Sequence, residues 1–221
     1  MLTRRSLLAA PALLLLAGRG LAQQAVAALP AAGASPAIED PGPLRLDISP
    51  QALEASMSLP PDREGDFVIP ERYRARVVQV ARGLTPNDIH IVPESFHLYY
   101  ILPGDAAIRY GVAVGQEGLG WRGQATIGRK VEWPSWRPTD EMIARNPGRY
   151  ARYADGMPGG PTNPLGARAL YFYQGERDTA IRVHGTTEPG SIGSRASNGC
   201  FRMYNSHVID LFNRVPLGAT A

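Results

Sequence analysis

The chain is poor in the residue types that most often announce a chemistry. It has one cysteine, Cys200, and four histidines in 221 residues. A single thiol cannot close an internal disulfide, so no disulfide framework holds the fold. No second cysteine is present and no histidine pair has ligand spacing with Cys200, which argues against a zinc site; no metal and no cofactor is expected. Lysine is nearly missing: Lys130 stands alone and the other basic side chains are arginine. The formal charge of +3 is not a nucleic-acid signature. Arg4, Arg5 and Arg19 lie in an N-terminal stretch without Asp or Glu, and removing them cancels the whole excess. No basic run and no basic–aromatic interleaving remains to bind phosphate, so no nucleic-acid partner is expected. Long apolar runs are also lacking. The longest, Leu7 to Ala17, is short of the about 20 residues a membrane span needs.

That run sits inside MLTRRSLLAAPALLLLAGRGLAQQ, which has the build of an export signal over residues 1–22. Arg4 and Arg5 precede the apolar run, and small residues at Gly20 and Ala22 offer cleavage before Gln23. TRRSLL resembles a twin-arginine signal, although paired arginines also occur in ordinary secretory signals. No cysteine follows the run, which excludes lipoprotein anchoring; an uncleaved anchor is the alternative reading. The expected location is the periplasm. Residues 23–66 are rich in Ala and Pro and read as a linker and a short N-terminal segment with little tight packing. Within it, Ser49 is a plausible helix cap followed by Pro50 at the first helical position.

Glycine and proline number 24 and 20, about a fifth of the chain, below the roughly 25–30% that signals disorder. Between these punctuation residues lie short stretches with the alternation of β-strands. DIHIVPESFHLYYIL reads as a hairpin turning at Pro93-Glu94-Ser95. RYGVAVG and QATIGRKVEW read as strands, and ALYFYQ with TAIRVHG as a second hairpin around Gly175. Two short helices are expected, TDEMIARNP capped by Thr139 and NSHVIDLFNRVP with Val208, Leu211 and Phe212 on one face. The prediction is a mainly β sandwich or barrel over residues 67–221.

The chemistry concentrates in HGTTEPGSIGSRASNGCFRM, residues 184 to 203. A thiol and an imidazole are the minimal equipment for nucleophilic acyl transfer. His184 ends the strand AIRVHGT, where alternation puts it on one face with Arg182, and a histidine beside a glycine at a strand end is expected to open onto a cleft. His90, His97 and His207 read as structural or surface residues. Cys200 follows Asn198-Gly199 in a tight turn, where glycine permits close backbone approach. The N–H groups of Gly199 and Cys200 are then candidate donors to an oxyanion. A buried, inert cysteine is the bland alternative, but small and polar residues flank this one.

H-G-T followed sixteen residues later by S-x-G-C-x-R resembles the signature of the L,D-transpeptidase (YkuD-like) catalytic domains of bacterial cell-wall synthesis. IHIVPESFHLYYIL, RYGVAVGQEG, ATIGRKVEWPSWRPTDEMI and MPGGPTNPLGARALYFY resemble successive segments of the same domain, in order. The resemblance implies Cys200 as nucleophile, His184 as general base, and the Gly185 carbonyl as the group that orients the imidazole. It implies that Ser197 and Gly199 belong to the motif and that Arg202 positions a carboxylate or organises the loop. Trp133 and Trp136 are candidates to line the substrate cleft, with a core role as the alternative. The implied reaction is attack on the third-residue carbonyl of a peptidoglycan stem peptide, loss of D-alanine, and transfer of the acyl group to an amine. Acceptors compatible with it are another stem, an envelope protein or a free D-amino acid. An L,D-carboxypeptidase or amidase on the same scaffold, or a non-catalytic wall-binding domain, are the alternatives. Two departures stand out. Asn198 occupies the place where the family usually has histidine, and the chain ends at PLGATA, where the family continues into one more strand, so an open sheet edge is expected there.

Overall fold

The computed structural model describes residues 49–115, 123–197 and 199–221. The expected export signal and most of the linker lie outside these residues, as does Asn198. The chain runs from helix α1 (Pro50–Met57) through β1 (Arg63–Glu64), β2 (Phe67–Val68), β3 (Arg76–Gln79), β4 (Ile89–Val92), β5 (His97–Leu102), β6 (Ala106–Gly111) and β7 (Thr126–Glu132). Helices α2 (Asp140–Arg145) and α3 (Pro147–Tyr150) follow, then β8 (Arg168–Gln174), β9 (Arg177–His184), β10 (Phe201–Arg202) and α4 (Asn205–Arg214). The architecture is mainly β, as expected. Both predicted hairpins form, β4 against β5 and β8 against β9.

Two four-stranded sheets, ordered β3-β6-β5-β4 and β10-β9-β8-β7, carry the fold. Side chains alternate between the two faces of each strand, and β5 is buried on both, from His97 to Leu102. One core row crosses the second sheet through Leu170, Val183 and Phe201, which are register partners. Tyr110, Val112, Ile127, Phe172 and Met203 join them, with Val208 and Leu211 from α4. Tyr110 is anchored as well as buried, donating its hydroxyl to Asp210 at 2.5 Å.

The sheets are joined at both margins. Beyond β6, Ala113 and Arg202 exchange both backbone hydrogen bonds at 2.9 Å. At the other margin the chain's last residues lie along β7: Ile127 N–H donates to Ala219 O, and Ala125 and Ala221 exchange bonds. Thr220 O in turn accepts from Ile89 N–H at 2.7 Å, at the start of β4. The open edge expected from the ending PLGATA is therefore absent. Four residues without a β-branched run suffice to cover it, because β7 offers them an unpaired ladder.

The segment before Phe67 also packs more tightly than its composition suggests. Ser49 caps α1 by accepting from Ala52 N–H at 3.2 Å, and Pro50 opens the helix as predicted. Ala52 and Ala55 are buried in the main core. Small side chains let the helix sit close, so no large apolar residue marks the contact in sequence. β1 is tied to α4, which has no side-chain cap of its own. Glu64 accepts from the Ser206 N–H at 3.0 Å and from its hydroxyl at 2.8 Å. A carboxylate at a helix N-terminus satisfies an orphan donor and complements the helix dipole.

Candidate active site

The pairing of β9 with β10 builds the site. It is a parallel pair, with Phe201 beside Val183 and Arg202 beside His184. Met203 N–H donates to His184 O at 2.8 Å and extends the contact. Cys200 enters this pair two residues before Arg202, so its strand position falls beside Arg182 on the face that also carries His184. The thiol and the imidazole thus come from neighbouring strands, although sixteen residues separate them in sequence.

His184 is 5% exposed, so it is buried rather than open to a cleft. The carbonyls of its neighbour Gly185 and of Leu165, nineteen positions earlier, face the ring. Its Nδ1 lies 2.6 Å from the Gly185 carbonyl. A carbonyl only accepts, so Nδ1 carries the proton and Nε2 presents the lone pair of the neutral ring. Burial pushes the imidazole down to about 4. Hydrogen bonding to the Gly185 and Leu165 carbonyls works the other way, and the Arg202 and Arg182 charges lower it further. The ring is neutral at ordinary pH and in the tautomer a proton acceptor needs. The Gly185 carbonyl is the ring's hydrogen-bond partner at Nδ1.

Gly185 is itself held by a residue that sequence reasoning missed. Asn205, the first residue of α4, accepts from Ala167 N–H at 2.9 Å and donates to Thr186 O at 2.8 Å. A Cβ on Gly185 or on Gly166 would come within 2.2 Å of its Oδ1. The two glycines make room for one amide that clamps the strand end to the loop. In sequence Asn205 reads only as a helix-start residue.

The loop carrying Cys200 is shaped by similar close approaches. Gly199 has φ 129°, where glycine is favoured. A Cβ on Gly115 would lie 2.1 Å from Gly199 N. Ser197 donates its hydroxyl to the Cys200 carbonyl, and its N–H reaches Val114 O at 3.4 Å. Cys200 is half-buried, and its Sγ lies 3.6 Å from the Ala180 carbonyl. Ala180 has φ 61° although it is not glycine. A bulge of β9 against β8 puts it there, fixed by Asp178 Oδ1 accepting from Ala180 N–H at 2.8 Å. A strained residue that touches a thiol fits the tendency of strain to gather at functional sites.

Arg202 organises the loop. It donates to Glu188 at 2.9 Å and reaches Ser191 at 3.4 Å, while Arg149 of α3 pairs with the same Glu188 at 3.6 Å. Trp133 is 46% exposed and Trp136 is half-buried against Tyr150 and Tyr153, so neither belongs to the core. A cavity of about 430 Å³ is lined by Trp136, Arg137, Asp155 and Met157 among others. Cys200 and His184 are not among its walls. Trp136 therefore borders this hollow, and Trp133 is exposed.

Comparison with known proteins identifies the family. The L,D-transpeptidase catalytic domain family, YkuD, matches residues 86–221. The chain is 41% identical over 99 residues to a Fuscovulum blasticum protein named as an L,D-transpeptidase of the ATP synthase subunits region, covering 44% of this chain and 47% of that one. It is 31% identical over 144 residues to the probable L,D-transpeptidase YbiS of Escherichia coli, covering 61% and 45%. Among solved structures it is similar to a Brucella melitensis protein described as a probable carnitine operon oxidoreductase, CaiA, with 50% identity, a TM-score of 0.50, and coverage of 71% of this chain and 97% of that one. The chain spans under half the length of the two curated relatives. The family match covers more than half of the chain and includes the paired β9 and β10, and on that ground the chain belongs to the L,D-transpeptidase catalytic domain family.

Proposed function

We propose that this protein is a periplasmic L,D-transpeptidase acting on peptidoglycan stem peptides through a Cys200 acyl-enzyme. One observation carries the reading: β9 and β10 are paired so that Cys200 and a neutral, Nδ1-protonated His184 occupy one face of adjacent strands. In the proposed reaction the Cys200 sulfur attacks the carbonyl of the third stem residue. Its proton passes to His184 Nε2. The carbon–nitrogen bond to the terminal D-alanine then breaks, and the departing amine takes that proton. A second amine attacks the thioester, the carbon–sulfur bond breaks, and the thiol is regenerated. The depressed imidazole favours a resting thiol with a neutral base over a preformed ion pair, so proton transfer accompanies attack. The N–H groups of Gly199 and Cys200 serve as oxyanion donors in this scheme. The export-signal build of residues 1–22 supports a site of action outside the cytoplasm.

The test is incubation of the purified protein with defined stem tetrapeptides, followed by mass spectrometry. A joined product with released D-alanine supports transfer. A shortened stem alone replaces it with L,D-carboxypeptidase activity. No change in mass, in a protein whose Cys200 is still alkylated by iodoacetamide, refutes the enzymatic reading. Cys200→Ala is expected to abolish both products.

A further inference from the structure

The outer face of the second sheet carries a row of side chains that the proposed chemistry does not use. Arg129 on β7 is the register partner of Tyr171 on β8, and Tyr171 that of Arg182 on β9. Continuing the β9–β10 register by one residue puts Cys200, just before β10, beside Arg182. Both guanidiniums lie over the Tyr171 ring, Arg182 at 4.4 Å and Arg129 at 5.1 Å from its centroid. Two like charges share one ring, but they are not equally neutralised. Asp178 holds Arg182 in a two-pronged pair at 3.0 and 2.8 Å. Among the described residues Arg129 has no acidic partner and the Tyr171 hydroxyl has no hydrogen-bond partner. The unmatched donors therefore lie at the β7–β8 end of the row, and Asp178 keeps further anions from the Arg182 end.

We propose that Arg129 and Tyr171 form a carboxylate subsite that holds the donor peptide along this row, three strands away from Cys200. The proposal rests on the reading of the protein as an enzyme of stem peptides. Strands about 4.8 Å apart put β7 about 14 Å from β10. An extended peptide covers that distance in about four residues, and the Arg129 side chain lies over Tyr171 on the next strand toward β10. A stem peptide has this length and carries carboxylates away from the reacting carbonyl. One is on its second residue, an isoglutamate, and one is on the side chain of its third when that is diaminopimelate. The guanidinium fork of Arg129 matches a carboxylate in two parallel hydrogen bonds. Stacking on Tyr171 holds that fork in place before the ligand arrives, which lowers the ordering cost of binding. Tyr171 itself is 9% exposed, and its hydroxyl is a further donor on the ring beneath the fork.

The experiment measures binding by calorimetry on Cys200→Ala protein, which cannot turn substrate over. Three tetrapeptides are compared: the free diacid, one amidated at the second-residue carboxyl, and one amidated at the third-residue side chain. Amidation of the carboxylate that occupies the subsite should weaken binding about tenfold, the scale of one charge-assisted contact at a half-exposed site. Adding Arg129→Ala should bring the diacid down to the affinity of that amide, and Tyr171→Phe should give a smaller loss in the same direction. The amide that matters identifies which carboxylate is held. If Arg129→Ala leaves the preference for acid over amide unchanged, or if neither amidation changes affinity, the subsite is refuted. Release of D-alanine by the Cys200 protein is read separately. Turnover that is indifferent to Arg129 refutes the subsite and leaves the enzymatic reading intact. Arg129-dependent binding without turnover keeps the subsite and refutes the reaction.

Discussion

Replacing His207 should stabilise the protein and flatten its response to acid. The ring is fully buried in α4, 5.0 Å from the Tyr204 centroid and 5.6 Å from that of Tyr110. Among the described residues neither of its nitrogens has a hydrogen-bond partner. A buried donor or acceptor left unpaired costs about 1–3 kcal/mol. Burial also holds the imidazole at about 4, with the Asp62 charge opposing and Arg76 reinforcing the shift. An unfolded chain protonates histidine near 6.5, so as pH falls from about 6.5 to about 4 the unfolded state takes up a proton that the native state refuses. Stability is therefore intact above 6.5 and lost progressively below it. The loss saturates near 4 at about 3 kcal/mol, from about 1.4 kcal/mol per unit over a gap of about 2.5 units. His184 is held at about 4 in the same way. Together the pair removes about 6 kcal/mol by pH 4, a large part of the 5–15 kcal/mol typical of a folded domain.

His207→Phe keeps a ring of similar shape and removes the titration. Urea denaturation followed by circular dichroism at pH 7.5, 6, 5 and 4.5 checks it. At pH 7.5 the variant should be more stable by about 1–3 kcal/mol. Near pH 5 the histidine pair gives a slope of about 2.4 kcal/mol per pH unit, and the variant should show about half of it. His207→Leu packs differently but should lose the same half, since the slope depends on titration and not on fit. Parallel stability curves for wild type and both variants would refute the reasoning, because they would mean that His207 is not held neutral by its burial.

Three further substitutions test the frame of the site. Asn205→Ala strands the Ala167 N–H and the Thr186 carbonyl; it should cost about 1–3 kcal/mol in thermal denaturation and lower kcat for stem peptide more than it raises KM, since the Gly185 carbonyl loses its support. Gly115→Ala forces the backbone of Ser197 and Gly199 to move, and a shift of about 1 Å at a reacting group is worth on the order of a hundredfold in rate; the rate of Cys200 acylation by a carbapenem, read by mass, should fall accordingly. Ser49→Ala removes the α1 cap and should lower stability by about 1 kcal/mol in urea without affecting acylation.

Much of the fold is legible from local signals. The β4–β5 and β8–β9 hairpins follow from alternation broken by Pro93-Glu94-Ser95 and by Gly175, and α2 follows from Thr139, whose hydroxyl accepts from Met142 N–H at 3.2 Å. These features are decided within a few residues. What sequence reading missed is decided across the chain. Residues 218–221 cover β7 because that ladder lacks a partner, not because GATA favours a strand. His184 is buried, with the Leu165 carbonyl from nineteen positions earlier among its partners. Asn205 acts on Ala167, 38 positions away, and on Thr186, 19 away.

The site itself shows why its chemistry was more legible than its construction. Cys200 and His184 announce themselves by their side chains, and rarity in this sequence makes them stand out. Their supports are mostly backbone: the Gly185 carbonyl at the imidazole, the Ala180 carbonyl at the sulfur, the Val114 carbonyl under Ser197. A carbonyl is the same at every position, so sequence can reveal such a support only through what must be missing beside it. Gly115, Gly166 and Gly185 each stand where a Cβ would collide at 2.1 to 2.2 Å with a backbone nitrogen or the Asn205 amide. Their function is close approach rather than flexibility, and none of the three has the positive φ of Gly199 except Gly166. It follows that alanine at Gly115 or Gly185 should damage the site through displacement while leaving backbone conformation permitted. Alanine at Gly199 strains the turn directly, at φ 129°, with no collision required.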